Sequence, residues 1–290
     1  MKEKAQVKST GKKRTGFSWI ARRLGVRYFE DGVGRSAAAL AYYLLFSLFP
    51  MLIFLNSVIG TLNISMPELM LEFERVLPAD VQGIISDYLS YIGGLKPGTL
   101  LYAGLFLSVW MLTRSIGMLM SAVRRAYRVK TQTRFYLVVV PVLSVLLLLS
   151  VFIMLAISMI STQLLYKVDE YIRLPAGFIR FWGLLRLAIG PVYLFFVLAA
   201  FYWIAGDRNY RFRQALPGAA GSLIAWMLAT WGFSYYVSNL GRYSLLYGSL
   251  GAIIVLMLWL YLTGTILIMG GELNDIIARH KALQHREDKA

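Results

Sequence analysis

Residues 36–60 read SAAALAYYLLFSLFPMLIFLNSVIG, which is 25 residues without one Asp, Glu, Lys or Arg. At the rise of an α-helix this stretch spans about 37 Å, enough to cross a bilayer core of about 30 Å with some tilt. A helix that is apolar on every face is surrounded by lipid or by other membrane helices. We therefore predict that this stretch is a membrane-spanning helix.

The same stretch carries a line of polar and helix-breaking residues on one helical face. Its members follow one another at steps of 7, 4, 3 and 7: Ser36, Tyr43, Ser47, Pro50 and Ser57. Pro50 also removes a backbone donor, which leaves the carbonyl of Phe46 without its helical partner. In hydrocarbon that carbonyl must be satisfied by a neighbouring helix, a hydroxyl group or water. We predict a kinked helix whose polar seam faces inward.

Long uncharged runs recur through the chain, which has 290 residues and is 58% hydrophobic, as is typical of an integral membrane protein. We predict an all-α, polytopic protein with six transmembrane helices, at about 36–60, 98–123, 135–166, 181–206, 214–241 and 243–272. Residues 65–94 mix acidic and apolar residues, which predicts two short amphipathic helices on the outer face. The transmembrane domain is predicted at 36–278, and a polar cytoplasmic tail follows at 279–290.

Basic residues set the predicted orientation. With six spans both termini lie on one side of the membrane, and that side holds 23 of the Lys and Arg residues against 7 on the other. The positive-inside rule then places both termini in the cytoplasm. The formal charge of +15 is explained by this asymmetry, so we do not expect a nucleic-acid partner.

Residues 1–35 are predicted to form a basic cytoplasmic arm. Within it, apolar residues recur at helical spacing: Phe17, Ile20, Leu24 and Tyr28. Arg22, Arg23 and Arg27 lie largely off that stripe. This pattern predicts an interfacial helix that rests on anionic lipids of the inner leaflet.

Arg114 interrupts the second span ten residues before Arg124, about 15 Å from that boundary. Its side chain recovers only part of this distance by snorkelling, so its head group is expected below the interface. One interpretation is a site for a substrate anion or a carboxylate. A structural ion pair, a carbonyl contact or a helix end set deeper in the membrane are the alternatives.

Three more charges near the spans are candidates for an ion or substrate pathway. Glu272 ends the last apolar run, where a partly buried carboxylate could couple to protons or cations, although a hydrated helix end fits as well. Asp31 and Arg35 are spaced for a local ion pair. The sharper hypothesis pairs Arg114 with Glu272 or Asp31. The candidate pathway residues are Arg114, Glu272, Asp31, Arg35, Tyr43, Ser47 and Pro50.

Small residues follow one face of the fifth predicted span at steps of 4, 3, 4 and 3: Gly218, Ser222, Ala225, Ala229 and Gly232. Small side chains let helix backbones approach closely, so this stripe predicts a helix-packing seam. A substrate groove is the alternative interpretation.

Four pieces of the sequence resemble the YihY/virulence factor BrkB family of bacterial inner-membrane proteins. They are AAALAYYLLFSLFPML (37–52), RRAYRV (124–129), LPGAAGSLIAW (216–226) and YGSLGAIIVLMLWLYLTGTILIMGGELN (247–274). The resemblance covers most of the chain and implies a six-helix inner-membrane protein. It also implies a link to serum resistance in some members and a proposed transport of ions, solutes or lipids.

Many members carry the name ribonuclease BN, which this sequence does not favour. The two histidines, His280 and His285, lie in the charged tail, and no HExxH or HxHxDH pattern occurs. There is no cysteine and no GxxxxGK[ST] loop, so we expect no metal, no cofactor and no ATP hydrolysis. We predict a transporter or permeation protein, with a non-transporting envelope scaffold as the alternative and a homo-oligomer left open.

Overall fold

A computed structural model describes residues 17–62, 97–129, 135–150, 153, 176–207, 210–239 and 249–287. Within these ranges all regular structure is helical, which confirms the predicted all-α class. The helices are α1 (Phe17–Glu30), α2 (Val33–Leu62), α3 (Pro97–Ala126), α4 (135–150, opening with a π-helical turn at Phe135–Val139), α5 (Ala176–Ala205), α6 (Phe212–Asn239) and α7 (Ser249–Glu287).

Five of the described helices, namely α2, α3, α5, α6 and α7, are long and apolar enough to cross a membrane. Their apolar segments are Val33–Phe54, Tyr102–Ala126, Ala188–Ala205, Phe212–Val237 and Ile253–His280. The helix α4 adds a shorter apolar segment, Leu137–Ser150, which covers the beginning of the predicted third span. The amphipathic helices predicted at 65–94 lie outside the described residues.

Large apolar side chains cover much of the outside of the bundle. Trp231 is 75% exposed, Leu137 71% and Leu228 64%, and they lie on α4 and α6. Soluble monomers rarely expose large contiguous apolar patches. These surfaces are suited to contact with lipid tails, as expected for a multi-pass membrane protein.

The helices α2 and α3 pack side by side in antiparallel directions. At one end Val33 and Ala37 of α2 pack with Ala122 of α3. At the other end Gly104 of α3 lies against the backbone of Phe54, where a Cβ atom would come within 3.0 Å of the Phe54 nitrogen. This close approach explains the glycine, and the two contacts fix which residues of the helices share a depth.

A junction of α5, α6 and α7 is held by a buried tyrosine. The Tyr202 hydroxyl donates to the carbonyl of Leu267 at 2.6 Å and lies 2.8 Å from Ser222 Oγ. Gly270 faces these two groups so closely that a Cβ atom there would overlap both. Gly218 is similarly pressed against the backbone of Gly270. Small residues thus bring α6 and α7 into direct backbone contact.

The predicted packing seam on α6 is correct only at its beginning. Gly218 and Ser222 are buried against α7. Farther along, Ala229 is half-buried, Ala225 is exposed, and a Cβ atom added to Gly232 would meet nothing within 4 Å. Beyond Ser222, α6 contacts α7 through larger side chains instead: Trp226 Nε1 donates to Thr263 Oγ1 at 3.3 Å, and Phe233 packs with Leu256. Helical spacing alone therefore overestimates the length of the small-residue seam.

Arginine side chains close the helix ends at one end of the bundle. Arg27 Nη1 donates to the carbonyl of Ala126, the last residue of α3, at 3.3 Å. Arg124 Nη1 donates to the carbonyl of Ala205, the last residue of α5, at 3.1 Å. The terminal carbonyls of a helix lack backbone donors and carry partial negative charge, which favours cations there. We use the name charged end for the region that contains Arg27, Arg124, the ends of α3 and α5, and the part of α7 around Glu272.

Candidate functional site

A buried arginine joins α1 to α7 at the charged end. Arg27 Nη1 donates to Glu272 Oε2 at 2.8 Å, and Arg27 Nη2 donates to Asp275 Oδ2 at 2.7 Å. The exposed fractions of the three side chains are only 6%, 1% and 9%. Buried charges require partners, so this pair of ion pairs fixes where α1 docks on the bundle.

The environment keeps Arg27 charged. Burial lowers its pKa, but the hydrogen bonds to Glu272 and Asp275 raise it by more, so the pKa of Arg27 lies above its ordinary value. A permanent positive charge is thus surrounded by carboxylates. Asp275 is also held by Arg279, whose Nε donates to Asp275 Oδ2 at 2.7 Å and whose side chain is half-exposed.

A third carboxylate, Asp31, enters the cluster from the turn between α1 and α2. Gly32 makes this turn with a φ of +62°, a conformation that glycine adopts without strain. Asp31 Oδ1 lies 3.5 Å from Arg128 Nη2. The carboxyl group of Asp31 also lies within hydrogen-bonding reach of Glu272. One oxygen on each of these residues, Asp31 Oδ2 and Glu272 Oε1, is buried without a hydrogen-bond donor.

Arg128 reaches Asp31 because α3 ends in a left-handed turn. The φ of Arg128 is +58°, and among the described non-glycine residues it alone has a positive φ. The amide of Val129 donates to the carbonyl of Arg124 at 3.0 Å, which closes the last turn of α3. A glycine is usual at such a position, and an arginine there costs of order 1 kcal/mol in backbone strain. The turn directs a cation toward Asp31.

An asparagine next to the ion pairs joins three helices. Asn274 is fully buried and donates from Nδ2 to the Tyr127 hydroxyl and to the Ala215 carbonyl, both at 3.2 Å. Its Oδ1 accepts a hydrogen bond from the amide of Gly218 at 2.6 Å. The side chain therefore joins α7 to α6 and to the end of α3, and both its carbonyl oxygen and its amide nitrogen have hydrogen-bond partners.

Two tyrosines stack beside this asparagine. The rings of Tyr127 and Tyr210 lie 4.9 Å apart and nearly parallel. Burial raises the pKa of the Tyr210 phenol to about 12, and burial also raises the pKa of Tyr127. Both phenols are therefore neutral hydrogen-bonding groups over the physiological range.

Several predicted site residues meet at the charged end, but not with the partners expected. Glu272 and Asp31 lie together, and the hydrated alternative for Glu272 is wrong because the residue is fully buried. The predicted pairing of either acid with Arg114 is not formed, since Arg27 and Arg128 occupy those places. The local pair of Asp31 with Arg35 is also absent, and Arg35 is exposed over the Gly32 turn.

Arg114 lies apart from this cluster. Its side chain is exposed, and no ion pair or hydrogen bond joins it to another residue in the described ranges. It lies twelve residues before Ala126, about 18 Å from the end of α3. Arg114 is therefore exposed near the middle of a candidate span.

The polar seam of α2 is divided between two roles. At the charged end Ser36 accepts a hydrogen bond from Arg125 Nη2 at 2.8 Å, which joins α2 to α3. Ser47 is buried and donates to the carbonyl of Leu44 in its own helix at 2.8 Å. Tyr43 and Pro50 are half-buried, and α2 continues through Pro50.

The profile of the family described as "Virulence factor BrkB" matches residues 25–290, which include the whole charged end. The chain belongs to the virulence factor BrkB family. This confirms the resemblance seen in the sequence. No solved structure matches this chain.

Among curated BrkB-type relatives, the ribonuclease-like protein YfkH of Bacillus subtilis is 29% identical, over 88% of this chain and 93% of the relative. A UPF0761 membrane protein of Coxiella burnetii is 26% identical, over 87% of this chain and 90% of the relative. A UPF0761 membrane protein of Alkalilimnicola ehrlichii is 26% identical over 90% of this chain, which spans only 58% of that relative. The described residues contain no group of three or more His, Asp or Glu that could hold a metal ion.

Sequence reasoning misses the central residue of this BrkB-family site. The helical spacing of the arm predicts that Arg27 lies off the apolar stripe, together with Arg22 and Arg23. In the structure Arg27 is buried, whereas Arg22 and Arg23 are exposed. The inward face of α1 contains Leu24 and Arg27, and Asp31, in the turn that follows, continues the same spacing at steps of 3 and 4. The sequence does contain one signal that predicts such a residue. The spacing of Glu272 and Asp275 puts two acids on one face of the last helix, which indicates that a cation faces them.

Proposed function

We propose that this BrkB-family protein crosses the cytoplasmic membrane six times, with both termini in the cytoplasm. We further propose that it moves ions, small solutes or lipids across that membrane without ATP hydrolysis. The charged end would then face the cytoplasm. The sixth span would be completed by α4, which is the shorter apolar helix in the described part.

Contacts at the charged end support an even number of crossings. The end of α3 and the end of α5 meet there through Arg124, and α4 begins nine residues after α3 ends. These contacts support a path in which the chain leaves the charged end with α4 and returns with α5. The hydrogen bond from the Tyr193 hydroxyl to Ser150 Oγ joins these two helices away from the charged end and fits this path. The excess of basic residues on the same side supports a cytoplasmic location.

The observation that carries the transport proposal is the exposed position of Arg114. An arginine at the centre of a spanning helix costs about 2.5–3.5 kcal/mol or more in lipid, so it needs water or an anion nearby. Such residues in membrane proteins commonly mark substrate or ion pathways. An aqueous groove along this face of α3 would supply both the hydration and the path.

The antiparallel packing of α2 and α3 gives this groove a second wall. The pairs Ala37 with Ala122 and Phe54 with Gly104 set the register, which puts Leu44 and Leu45 at the depth of Arg114 and Tyr43 one or two residues away. Tyr43 is half-buried, so its hydroxyl group is a candidate for contact with a permeating anion. Glu272, Asp31, Arg35, Ser47 and Pro50 stay as further candidates for the pathway.

A cysteine-labelling experiment tests the groove directly. The chain has no cysteine, so single-cysteine variants need no other substitution. Arg114→Cys and Ile224→Cys are matched, because each residue is exposed and each lies about 18 Å from the charged end of its helix. A membrane-impermeant thiol reagent is expected to label the first variant and not the second. Protection of both variants would contradict an aqueous groove.

Flux measurements test transport itself. Proteoliposomes are screened with inorganic anions, small organic anions and labelled phospholipids. Arg114→Ala and Glu272→Gln should abolish the flux that the unmodified protein supports, whereas Arg23→Ala, on the exposed face of α1, should not. Unchanged flux in both pathway variants would remove this assignment of the site.

The alternative function is a non-transporting envelope scaffold linked to virulence. The buried, fully bonded junctions at Asn274 and Tyr202 favour it, since they are what a rigid bundle requires. A scaffold predicts that Arg114 is covered by a partner chain, such as a second copy, and that no probe permeates. Crosslinking through Arg114→Cys to a second copy, with no flux, would support this alternative.

We propose a non-enzymatic role, and the ribonuclease-like name stays a property of the Bacillus relative. The two histidines of the sequence lie in the last turns of α7, and the described residues contain no group of side chains that could hold a metal ion. We propose the lipid bilayer as the partner, with anionic inner-leaflet lipids bound at residues 1–35, and no nucleic acid. Weaker binding of anionic lipid by the detergent-solubilised protein when the Lys and Arg residues of 1–14 are neutralised would test this arm.

A further inference from the structure

Two carboxyl groups face each other inside the charged end without enough donors. Glu272 Oε1 and Asp31 Oδ2 are both buried and have no hydrogen-bond donor, although the two groups lie within hydrogen-bonding reach. The Glu272 side chain is 1% exposed and that of Asp31 is 15% exposed. Two ionised carboxylates in this arrangement would repel each other where little water can screen them.

The surrounding charges do not compensate for three ionised acids. From α1, Arg27 is the buried cation, and it is shared between Glu272 and Asp275. From the end of α3, Arg128 reaches Asp31 at 3.5 Å with a side chain that is 55% exposed. From α7, Arg279 is 53% exposed and is bound to Asp275. Glu272 and Asp31 therefore have less positive charge near them than two ionised carboxylates require.

One proton placed between the two acids would remove the charge repulsion and would give the unpartnered oxygens a hydrogen bond. A carboxylic acid has an O–H donor, so a protonated member of the pair would donate to the unpartnered oxygen of the other. A divalent cation is a poorer fit, because no three acidic or histidine side chains in the described ranges are placed to hold a metal ion. Short carboxyl pairs elsewhere share a proton for the same electrostatic reason.

We propose that Asp31 and Glu272 form a proton-binding site, in which one proton is shared between the two carboxyl groups in the folded protein. The site lies between the α1–α2 turn and α7. It does not depend on the transport proposal, and it holds for a scaffold as well. Release of the proton adds a negative charge next to Glu272 and weakens the closure of α1 over α7.

Infrared difference spectroscopy on the full-length protein in liposomes tests this site. Spectra at about pH 6 and about pH 9 are expected to show the carbonyl stretch of a protonated carboxylic acid that is lost at the higher pH and shifts in heavy water. Asp31→Asn and Glu272→Gln should each remove this band, because an amide supplies the missing donor and the other acid ionises. Asp275→Asn is the matched control, since Asp275 already accepts from two arginines, and it should keep the band.

Thermal unfolding gives a second readout. If the folded state binds one proton more than the unfolded state, stability falls as pH rises, and the melting temperature of the unmodified protein should drop between the two conditions. Asp31→Asn should fold and show a smaller drop, whereas Asp275→Asn should not reduce it. A band that is absent from the unmodified protein, or that persists in both Asp31→Asn and Glu272→Gln, would overturn the proposal.

Discussion

Replacing Arg27 by methionine tests the central ion pairs of the charged end. Methionine keeps an unbranched apolar stem of similar length but removes the guanidinium group and its hydrogen bonds. In the unmodified protein that group donates to Glu272, to Asp275 and to the carbonyl of Ala126. The substitution therefore leaves buried acceptors on α7 and α3 without this donor.

The magnitude follows from what each acceptor retains. Asp275 loses its hydrogen bond from Arg27 but keeps the ion pair with Arg279 at 2.7 Å, so it remains partly compensated. Glu272 loses the partner of its Oε2 atom and is fully buried, and removal of one member of such a pair costs about 3–5 kcal/mol. For a protein of this size that corresponds to a melting temperature lower by on the order of 10 °C.

Thermal unfolding in detergent, followed by tryptophan fluorescence, measures this loss. Arg23→Met is the matched control, because Arg23 lies one turn earlier on α1 and is exposed. Its melting temperature is expected to stay within about 2 °C of that of the unmodified protein. Equal melting temperatures for Arg27→Met and Arg23→Met would refute the claim that the arginine at 27 holds α1 on the bundle.

Four further substitutions probe the remaining contacts. Gly270→Ala should destabilise the protein by about 1–3 kcal/mol through overpacking, while Gly232→Ala, with open space around it, should be neutral or stabilising by roughly 0.5–1 kcal/mol in the same unfolding assay. Asn274→Leu should cost about 1–3 kcal/mol for each polar group it orphans, measured by chemical denaturation in detergent. Because the pKa of Tyr210 is raised to about 12 while an unfolded tyrosine titrates at about 10, stability should fall as pH rises between these values, and Tyr210→Phe should reduce that fall.

The spanning helices can be predicted from the sequence because their signal is local. A run such as 36–60 has no charge to place in lipid, and α2 covers it from Val33 to Leu62. The described part of the last apolar run likewise lies within one helix, which begins at Ser249 and continues beyond Glu272 to Glu287. Each of these features depends on residues close together in the chain, so composition and periodicity are sufficient.

The partners of the charged residues cannot be predicted in the same way. Helical periodicity indicates which residues share a face, but it does not indicate which helix covers that face. Arg27 and Glu272 are 245 positions apart, and the sequence offers several arginines as partners for Glu272. Arg114 is the more conspicuous choice because it interrupts an apolar run, yet its side chain is exposed and Arg27 takes the acid.

The bond between Arg27 and Glu272 also has a consequence for biogenesis. A ribosome makes the arginine long before it makes the acid, so the α1 segment must wait at the membrane surface while the intervening spans are inserted. Only the arrival of α7 lets it lock into place. A nascent chain that stalls before that point leaves Arg27 without the two carboxylates that hold it in the finished protein.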